Sequence, residues 1–168
     1  KRHGMKELEN GRIGIDWGRH VQDYARPLAP VVEGLGGATA DPRDFASKAL
    51  GFVQTIPYET RGKKPDKFRR PLSILGRNRG DCDSKTVLFL ALMHQAYPEL
   101  GLGVIAIRKH AFGALALAPE PGETSVRIDG EKWVAVEPVG PAQNEIGSVG
   151  RHSRRALRLR RYKVIDAN

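Results

Sequence analysis

The sequence predicts one α+β domain, in which a buried helix is enclosed by a second helix and an antiparallel sheet. The run from Val87 to Met93 is apolar on every side, which is typical of a helix that other elements cover completely. Residues 103 to 137 form short apolar runs separated by turn signals, which favours antiparallel strands. Residues 42 to 55 have the spacing of an amphipathic helix. Helices followed by strands are typical of the α+β class.

The first half of the chain predicts helices. Residues 1 to 15 are polar and dotted with glycine, which is typical of a loosely held arm. Residues 16 to 35 have helical spacing that two prolines interrupt, so we expect one or two short helices there. Asp41 followed by proline predicts the start of the helix 42 to 55. Residues 58 to 78 are a long cationic connection, which is expected either to form part of a cleft wall or to be a solvated lysine and arginine surface.

The second half predicts the buried helix and a sheet. The helix runs from 82 to 97 and ends before proline. Asp129-Gly130 is typical of a type I′ hairpin turn. Leu157 and Leu159 alternate with arginines, which predicts an exposed edge strand with a bulge near 160 to 161. The expected strands are 103 to 108, 110 to 118, 124 to 128 and 131 to 137, with a loop from 138 to 148.

Length and charge limit the organisation of the chain. Its 168 residues suffice for a single domain, which we divide into an arm with short helices (1–38) and a core with a basic C-terminal strand (39–168). The net charge of +9 is local, because residues 57 to 79 hold eight basic residues against two acidic ones, and residues 151 to 163 hold seven against none. No apolar run approaches the roughly 20 residues of a membrane helix.

The compartment and the oligomeric state stay unassigned. The chain contains one cysteine, which excludes an internal disulfide framework but fits an oxidising or a reducing compartment. It begins at Lys1 rather than at methionine, which leaves room for a leader or anchor that has been removed.

The single cysteine, Cys82, stands where a helix N-terminus is expected. Gly80 ends the preceding loop and Asp81 is a good N-cap, so the thiol falls in the first helical turn. The unpaired N–H groups and the positive end of the helix dipole favour an anion there, which lowers a thiol pKa. The alternative is a buried structural cysteine.

Two later residues have the chemistry to act with this thiol. His110 begins an apolar strand, and Glu137 ends another strand directly before proline. His94 lies about 18 Å from Cys82 along the helix at 1.5 Å per residue, too far to pair with it. The remaining histidines, His3, His20 and His152, stand in polar surroundings that predict exposure and show no metal-ligand spacing.

The order cysteine, histidine, acid, together with Gly80-Asp81-Cys82-Asp83 and the apolar helix behind it, resembles the transglutaminase-like superfamily. The resemblance covers residues 40 to 140. It implies a papain-like core, with the nucleophile Cys82 at the N-terminus of the central helix and His110 and Glu137 on adjacent strands. It also implies thiol-dependent acyl transfer on peptide or carboxamide substrates. The family usually carries aspartate or asparagine at the position of Glu137.

Supporting roles are expected for several further residues. Gln54 could donate to a developing oxyanion, although a solvent-facing glutamine explains it as well. Arg77, Arg79 and Trp133 are candidates for the substrate cleft. Related peptidases hold calcium with acids at the positions of Asp81 and Asp83, and such oxygen ligands suit that ion. We favour the helix-cap role for Asp81, and expect no cofactor.

Four functions stay open at this point. Hydrolysis by a cysteine peptidase or amidase is the first, and transamidation shares every step with it except the acceptor. A catalytically inactive protein-binding module of the same fold is the third. Nucleic-acid binding by the basic stretches depends on charge alone, so we expect a protein or peptide substrate instead. If the enzyme reading holds, we expect Cys82 to be largely thiolate at neutral pH.

Overall fold

The structure is a computed structural model that describes residues 5–7, 13–59, 68–140 and 143–168. Helices and antiparallel strands are mixed in it, which confirms the α+β class. The elements in chain order are β1 (Met5–Glu7), β2 (Ile13–Ile15), α1 (Trp17–Ala25), a 3₁₀ helix (Arg26–Leu28), α2 (Ala29–Gly34), α3 (Pro42–Thr55), α4 (Pro71–Arg77), α5 (Cys82–Ala96), β3 (Leu102–Ile107), β4 (His110–Leu115), β5 (Ser125–Ile128), β6 (Glu131–Val136), α6 (Arg151–Arg158) and β7 (Lys163–Asp166).

Five strands form the central antiparallel sheet, in the order β5-β6-β4-β3-β7. The turn between β5 and β6 has positive φ at both central residues, 49° at Asp129 and 89° at Gly130, as a type I′ turn requires. The strands β4 and β6 are direct neighbours, paired from Leu115↔Val134 to Gly113↔Val136. The first residue of β4 and the residue after β6 are therefore at the same end of the sheet.

Helix α5 is the centre of the main core, as predicted from its apolar sequence. Every residue from Ser84 to Met93 is buried. The core around it includes side chains from α1, α3 and one face of the sheet, among them Val21, Phe45 and Leu102. Because α1 contributes to this core, the N-terminal helices pack on α5; the boundary at residue 38 stays a prediction.

The opposite face of the sheet has a smaller core of its own. Buried side chains of β3, β4 and β6 meet there, and α6 and the residues after it add Leu157 and Tyr162. This face also carries His110, whose ring stacks on Phe112 with centroids 5.8 Å apart. The central sheet therefore separates a large core around α5 from a small one under α6.

The predictions for the N-terminal residues and for the cationic connection 58 to 78 are partly wrong. Residues 5–7 and 13–15 pair as a two-stranded sheet instead of forming a loose arm. The cationic connection contains the helix α4, while residues 60–67 within it lie outside the described residues.

The predicted edge strand from Leu157 onward is also wrong in its first half. Residues 151–158 form α6, because Ser153, Ala156 and Leu157 are spaced three and four residues apart on one face. Arg160, with φ 52°, follows the helix end, and β7 begins at Lys163. Leu159, which completes the alternation of leucine and arginine, follows the helix and is exposed, so the alternation does not mark a buried strand face.

Two other observations bear on the sequence predictions. His20, expected at the surface, is only 3 % exposed, and its ring centroid lies 4.7 Å from that of Phe68. Across the described ranges, no helix is both long enough and apolar enough to cross a membrane.

Candidate active site

The N-terminus of α5 is fixed by a cap and by a close approach of the backbone. The Asp81 carboxylate accepts a hydrogen bond of 2.8 Å from the N–H of Ser84, which is the predicted N-cap. Gly80 is held by backbone hydrogen bonds to Pro57 and Glu59. A Cβ at Gly80 would come within 3.1 Å of the Lys85 side chain, so the space here favours glycine. Cys82 is consequently the first residue of α5.

The N-terminus of α5 contacts the part of β4 that is not paired with β6. Pairing between β4 and β6 stops at Gly113↔Val136, and Pro138 has no N–H with which to extend it. The edge of β4 beyond that point is free to meet α5. The Thr86 hydroxyl donates to the Ala111 carbonyl at 3.2 Å, and the Ala111 N–H faces the Cys82 sulfur and lowers the thiol pKa. The sulfur therefore lies next to the peptide group that follows His110.

His110 belongs to a chain of three hydrogen-bonded side chains. Its Nε2 lies 2.5 Å from Oε1 of Glu137, and Oε2 of Glu137 accepts a 2.7 Å hydrogen bond from the Ser153 hydroxyl. Glu137 and Ser153 are buried, whereas the histidine side chain is 18 % exposed. Because Glu137 occupies Nε2, the other ring nitrogen, Nδ1, is the one available for a proton from a thiol.

Cys82 itself is in a different state from the one that we expected. Sγ makes no hydrogen bond with His110 and instead donates to Oδ1 of Asp83 at 3.4 Å. Burial, together with the carboxylates of Asp83 and Asp81, raises the pKa of Cys82 to about 12, against the smaller opposing effect of the Ala111 N–H. The expectation of a resting thiolate is therefore wrong, because burial and two acids outweigh the helix N-terminus.

Gln54 differs from both of its expected roles. The side chain is 4 % exposed, so it does not face solvent. Its Nε2 donates to the backbone carbonyls of Glu137 at 2.9 Å and of Asn144 at 3.0 Å. Both amide hydrogens are used, and none is left for an oxyanion. Gln54 therefore anchors the chain that leaves β6, and with it the backbone of Glu137.

Lys85 is a buried cation one turn into α5. The side chain is fully buried, and its Nζ donates to the carbonyl of Ile56 at 2.7 Å. Burial lowers the pKa of Lys85 to about 8. This contact ties the end of α3 to the start of α5, so Lys85 supports the position of the helix N-terminus.

The three predicted cleft residues are not gathered at the triad. Arg77, the last residue of α4, and Arg79, in the connection to α5, are exposed, and neither forms an ion pair with a described residue. Trp133 is half-buried and packs on Gly101, where a Cβ would lie 2.6 Å from its ring. It lines a separate cavity of about 440 Å³. Trp133 precedes Glu137 by four residues, about 13 Å along a strand, so it lies apart from the triad, and its place in a substrate cleft stays a prediction.

Asp81 and Asp83 belong to no metal-ligand cluster among the residues that the structure describes. Within the described residues, no group of three or more histidine, cysteine, aspartate or glutamate side chains could hold a metal ion. Asp81 uses Oδ1 for the helix cap, which is the role that we favoured over calcium binding.

The sequence reasoning missed Ser153 and Thr86. Ser153 falls in a segment that we expected to be a strand, where its side chain would have had no reason to meet Glu137. A helical reading would have found it, because Ser153 is the small polar residue on the apolar side of α6. Thr86 had no sequence signal, since its contact depends on where β6 stops pairing.

The comparisons with known proteins add little to this geometry. No protein-family model matches the sequence, and no curated protein matches it. Among solved structures, the chain is similar to Legionella pneumophila LapG, with a TM-score of 0.47 and 14 % identity over 89 % of this chain and 84 % of that chain. A likeness this weak assigns neither a family nor an activity.

Proposed function

We propose that the protein is a cysteine peptidase or amidase with Cys82, His110 and Glu137 as its triad. The observation that carries the proposal is the contact between α5 and the open edge of β4, which brings the Cys82 sulfur beside the peptide group after His110. The hydrogen bond from His110 Nε2 to Glu137 supports it, because it orients the imidazole with Nδ1 unoccupied. In this proposal the core is of the papain-like type found in the transglutaminase-like superfamily.

The reaction would proceed by acyl transfer through sulfur. The thiol proton moves to Nδ1 of His110 as Sγ attacks the carbonyl carbon of a peptide or carboxamide. The histidine then gives this proton to the departing amine as the C–N bond breaks, which leaves a thioester on Cys82. Water, deprotonated by the same histidine, hydrolyses the thioester and restores the thiol. Glu137 keeps the imidazole in place and stabilises its charged form.

A protein-binding module without activity is the second candidate. The observation that favours it is the protonated, buried thiol, which donates to Asp83 instead of meeting the histidine. The structure of a binding module would need no ion pair between Cys82 and His110.

Incubation with a peptide library prepared by digesting a proteome tests the proposal. Mass spectrometry should detect new termini with the native protein and none with Cys82→Ala or His110→Ala. An added primary amine that becomes attached to the new carboxyl ends would identify transamidation in place of hydrolysis.

Alkylation by iodoacetamide is the control for the case in which the peptide library contains no substrate, because it reports on Cys82 and His110 without cleavage. At neutral pH, His110→Ala should slow the alkylation of Cys82 more than at pH 12, where the thiolate forms without a base. If no peptide is cleaved and alkylation ignores the His110 change, the binding module replaces the enzyme.

A further inference from the structure

Helix α6 and the turn between β3 and β4 form one cationic surface. All its arginines are exposed or border a surface cavity, and α6 contains no acidic residue. We call the set the α6 arginine surface; its members are Arg108, Arg151, Arg154, Arg155, Arg158 and Arg161.

The charges of this surface are not neutralised within the described protein. Elsewhere, Arg19, Arg43 and Arg69 each pair with a carboxylate. No arginine of the α6 arginine surface makes an ion pair with a described residue. Within α6, arginines three and four positions apart repel one another and weaken the helix. The described part of the chain thus leaves these cations without a carboxylate partner, although Arg154 donates to the carbonyl of Val149.

The surface is concave as well as charged. One cavity of about 230 Å³ has Arg108, Arg155 and Arg161 on its walls and Ala156 and Leu159 as apolar lining. A second cavity, of about 360 Å³, is lined by four arginines of α6. Arg155 belongs to both. Guanidinium groups bind carboxylates with two parallel hydrogen bonds, so adjacent cavities of this kind suit successive carboxylates of one chain.

The position of the surface relative to the triad is fixed. Ser153 of α6 donates to Glu137, which in turn binds His110. Arg108 precedes His110 by two residues, and its carbonyl lies 3.3 Å from Nε2 of His152 on α6. A chain bound on this surface would therefore be held beside the acid and base half of the candidate active site.

We propose that the α6 arginine surface binds an acidic segment of the protein substrate and so selects it for the reaction at Cys82. The selection of a substrate rests on the proposed function. The binding of an acidic peptide to this surface does not depend on it. An acidic peptide fits better than a single-stranded nucleic acid, because single strands are held by base stacking on exposed aromatic rings. Tyr162, the aromatic residue of segment 151–163, packs against the core beneath α6.

Binding is tested with Cys82→Ala protein, so that turnover does not interfere. Fluorescence anisotropy of a labelled octaglutamate peptide should show binding that weakens with salt. Adding Arg108→Ala and Arg155→Ala should weaken it about tenfold, the size expected for losing two exposed ion pairs. Arg26→Ala with Arg127→Ala, on the 3₁₀ helix and β5, is the control of equal charge and should have little effect, because both arginines are exposed and neither forms an ion pair with a described residue.

Two results would overturn this inference. Equal loss in the two double variants would mean that net charge alone attracts the peptide. Tighter binding of a short DNA duplex, with the same dependence on Arg108 and Arg155, would assign the surface to nucleic acid instead.

Turnover separates this inference from the proposed function. With active protein, the Arg108 and Arg155 changes should raise KM for an acidic substrate and leave a neutral one unchanged. If octaglutamate binds but no substrate is turned over, the proposed enzymatic function is wrong and the proposed binding surface is supported.

Discussion

The two halves of the candidate active site are prepared to different degrees. Around His110, Glu137 and Ser153 form a continuous chain of hydrogen bonds, most of it buried. Around Cys82, the thiol is protonated, and its hydrogen points to Asp83 rather than to the histidine. In the proposed enzyme, the base would therefore be set in place before a substrate arrives, whereas the nucleophile would not.

This difference suggests when the thiol ionises. Burial and the two neighbouring acids make the isolated thiolate unfavourable, while a proton passed to His110 would create an ion pair that Glu137 stabilises. We expect that transfer to accompany attack on a substrate or on an alkylating reagent, when the thiol turns from Asp83 to the imidazole. The resting enzyme would then be less open to alkylation and oxidation than one with a permanent thiolate.

The largest effect is expected at the nucleophile. Cys82→Ala should abolish peptide cleavage, a loss of at least about 10³-fold, because no other group can form the thioester. Thermal unfolding should change little, and Ser84 is unsuited as a substitute because its hydroxyl accepts from the Arg69 N–H. Cleavage that persists in the alanine variant would mean that the two halves do not work together.

The next effect is expected at the acid. Glu137→Gln keeps the size of the side chain but removes the charge that stabilises the imidazolium, so kcat should fall about 10²- to 10⁴-fold. Glu131→Gln, at the exposed start of the same strand, is the matched control. If kcat falls while the unfolding midpoint stays the same, Glu137 acts by orienting the His110 imidazole and not by stabilising the fold. Unchanged activity would transfer the orienting role to another group.

An intermediate effect is expected at Asp83. Asp83→Asn removes the carboxylate that is the largest charged contributor to the raised pKa of Cys82, so that pKa should fall. For each unit of decrease, iodoacetamide should alkylate Cys82 about tenfold faster at a pH well below the pKa. Asp44→Asn, the first-turn acid of α3, is the control. A rate that stays constant would show that the Asp83 carboxylate does not protect the thiol.

The smallest effect is expected at Ser153. Ser153→Ala leaves Oε2 of Glu137 without its donor, which should shift the pH profile of kcat and reduce kcat about three- to tenfold. Ser47→Ala removes a hydroxyl from an exposed position on α3 and should do neither. A change in stability without a shift of the pH profile would reduce Ser153 to a packing role.

The nucleophile half was easier to predict from the sequence than the other half. The cap at Asp81 and the buried helix behind Cys82 depend on neighbouring residues, which a sequence pattern records. The contacts of Gln54 with the chain after β6 and of Ser153 with Glu137 join residues 83 and 16 positions apart. The thiol pKa depends on burial in the folded molecule, so the sequence predicted only the opposing influence of the helix N-terminus.

The contact between Ala111 and Cys82 gives the protein a built-in spectroscopic reporter. The Ala111 N–H faces the sulfur from the β4 edge left open where the pairing of β6 ends. Its proton and nitrogen chemical shifts should respond when the sulfur gains charge, forms a thioester or turns towards His110. A ¹⁵N-labelled sample would then follow the state of the thiol at one amide signal, without a substrate analogue or a chemical label on Cys82.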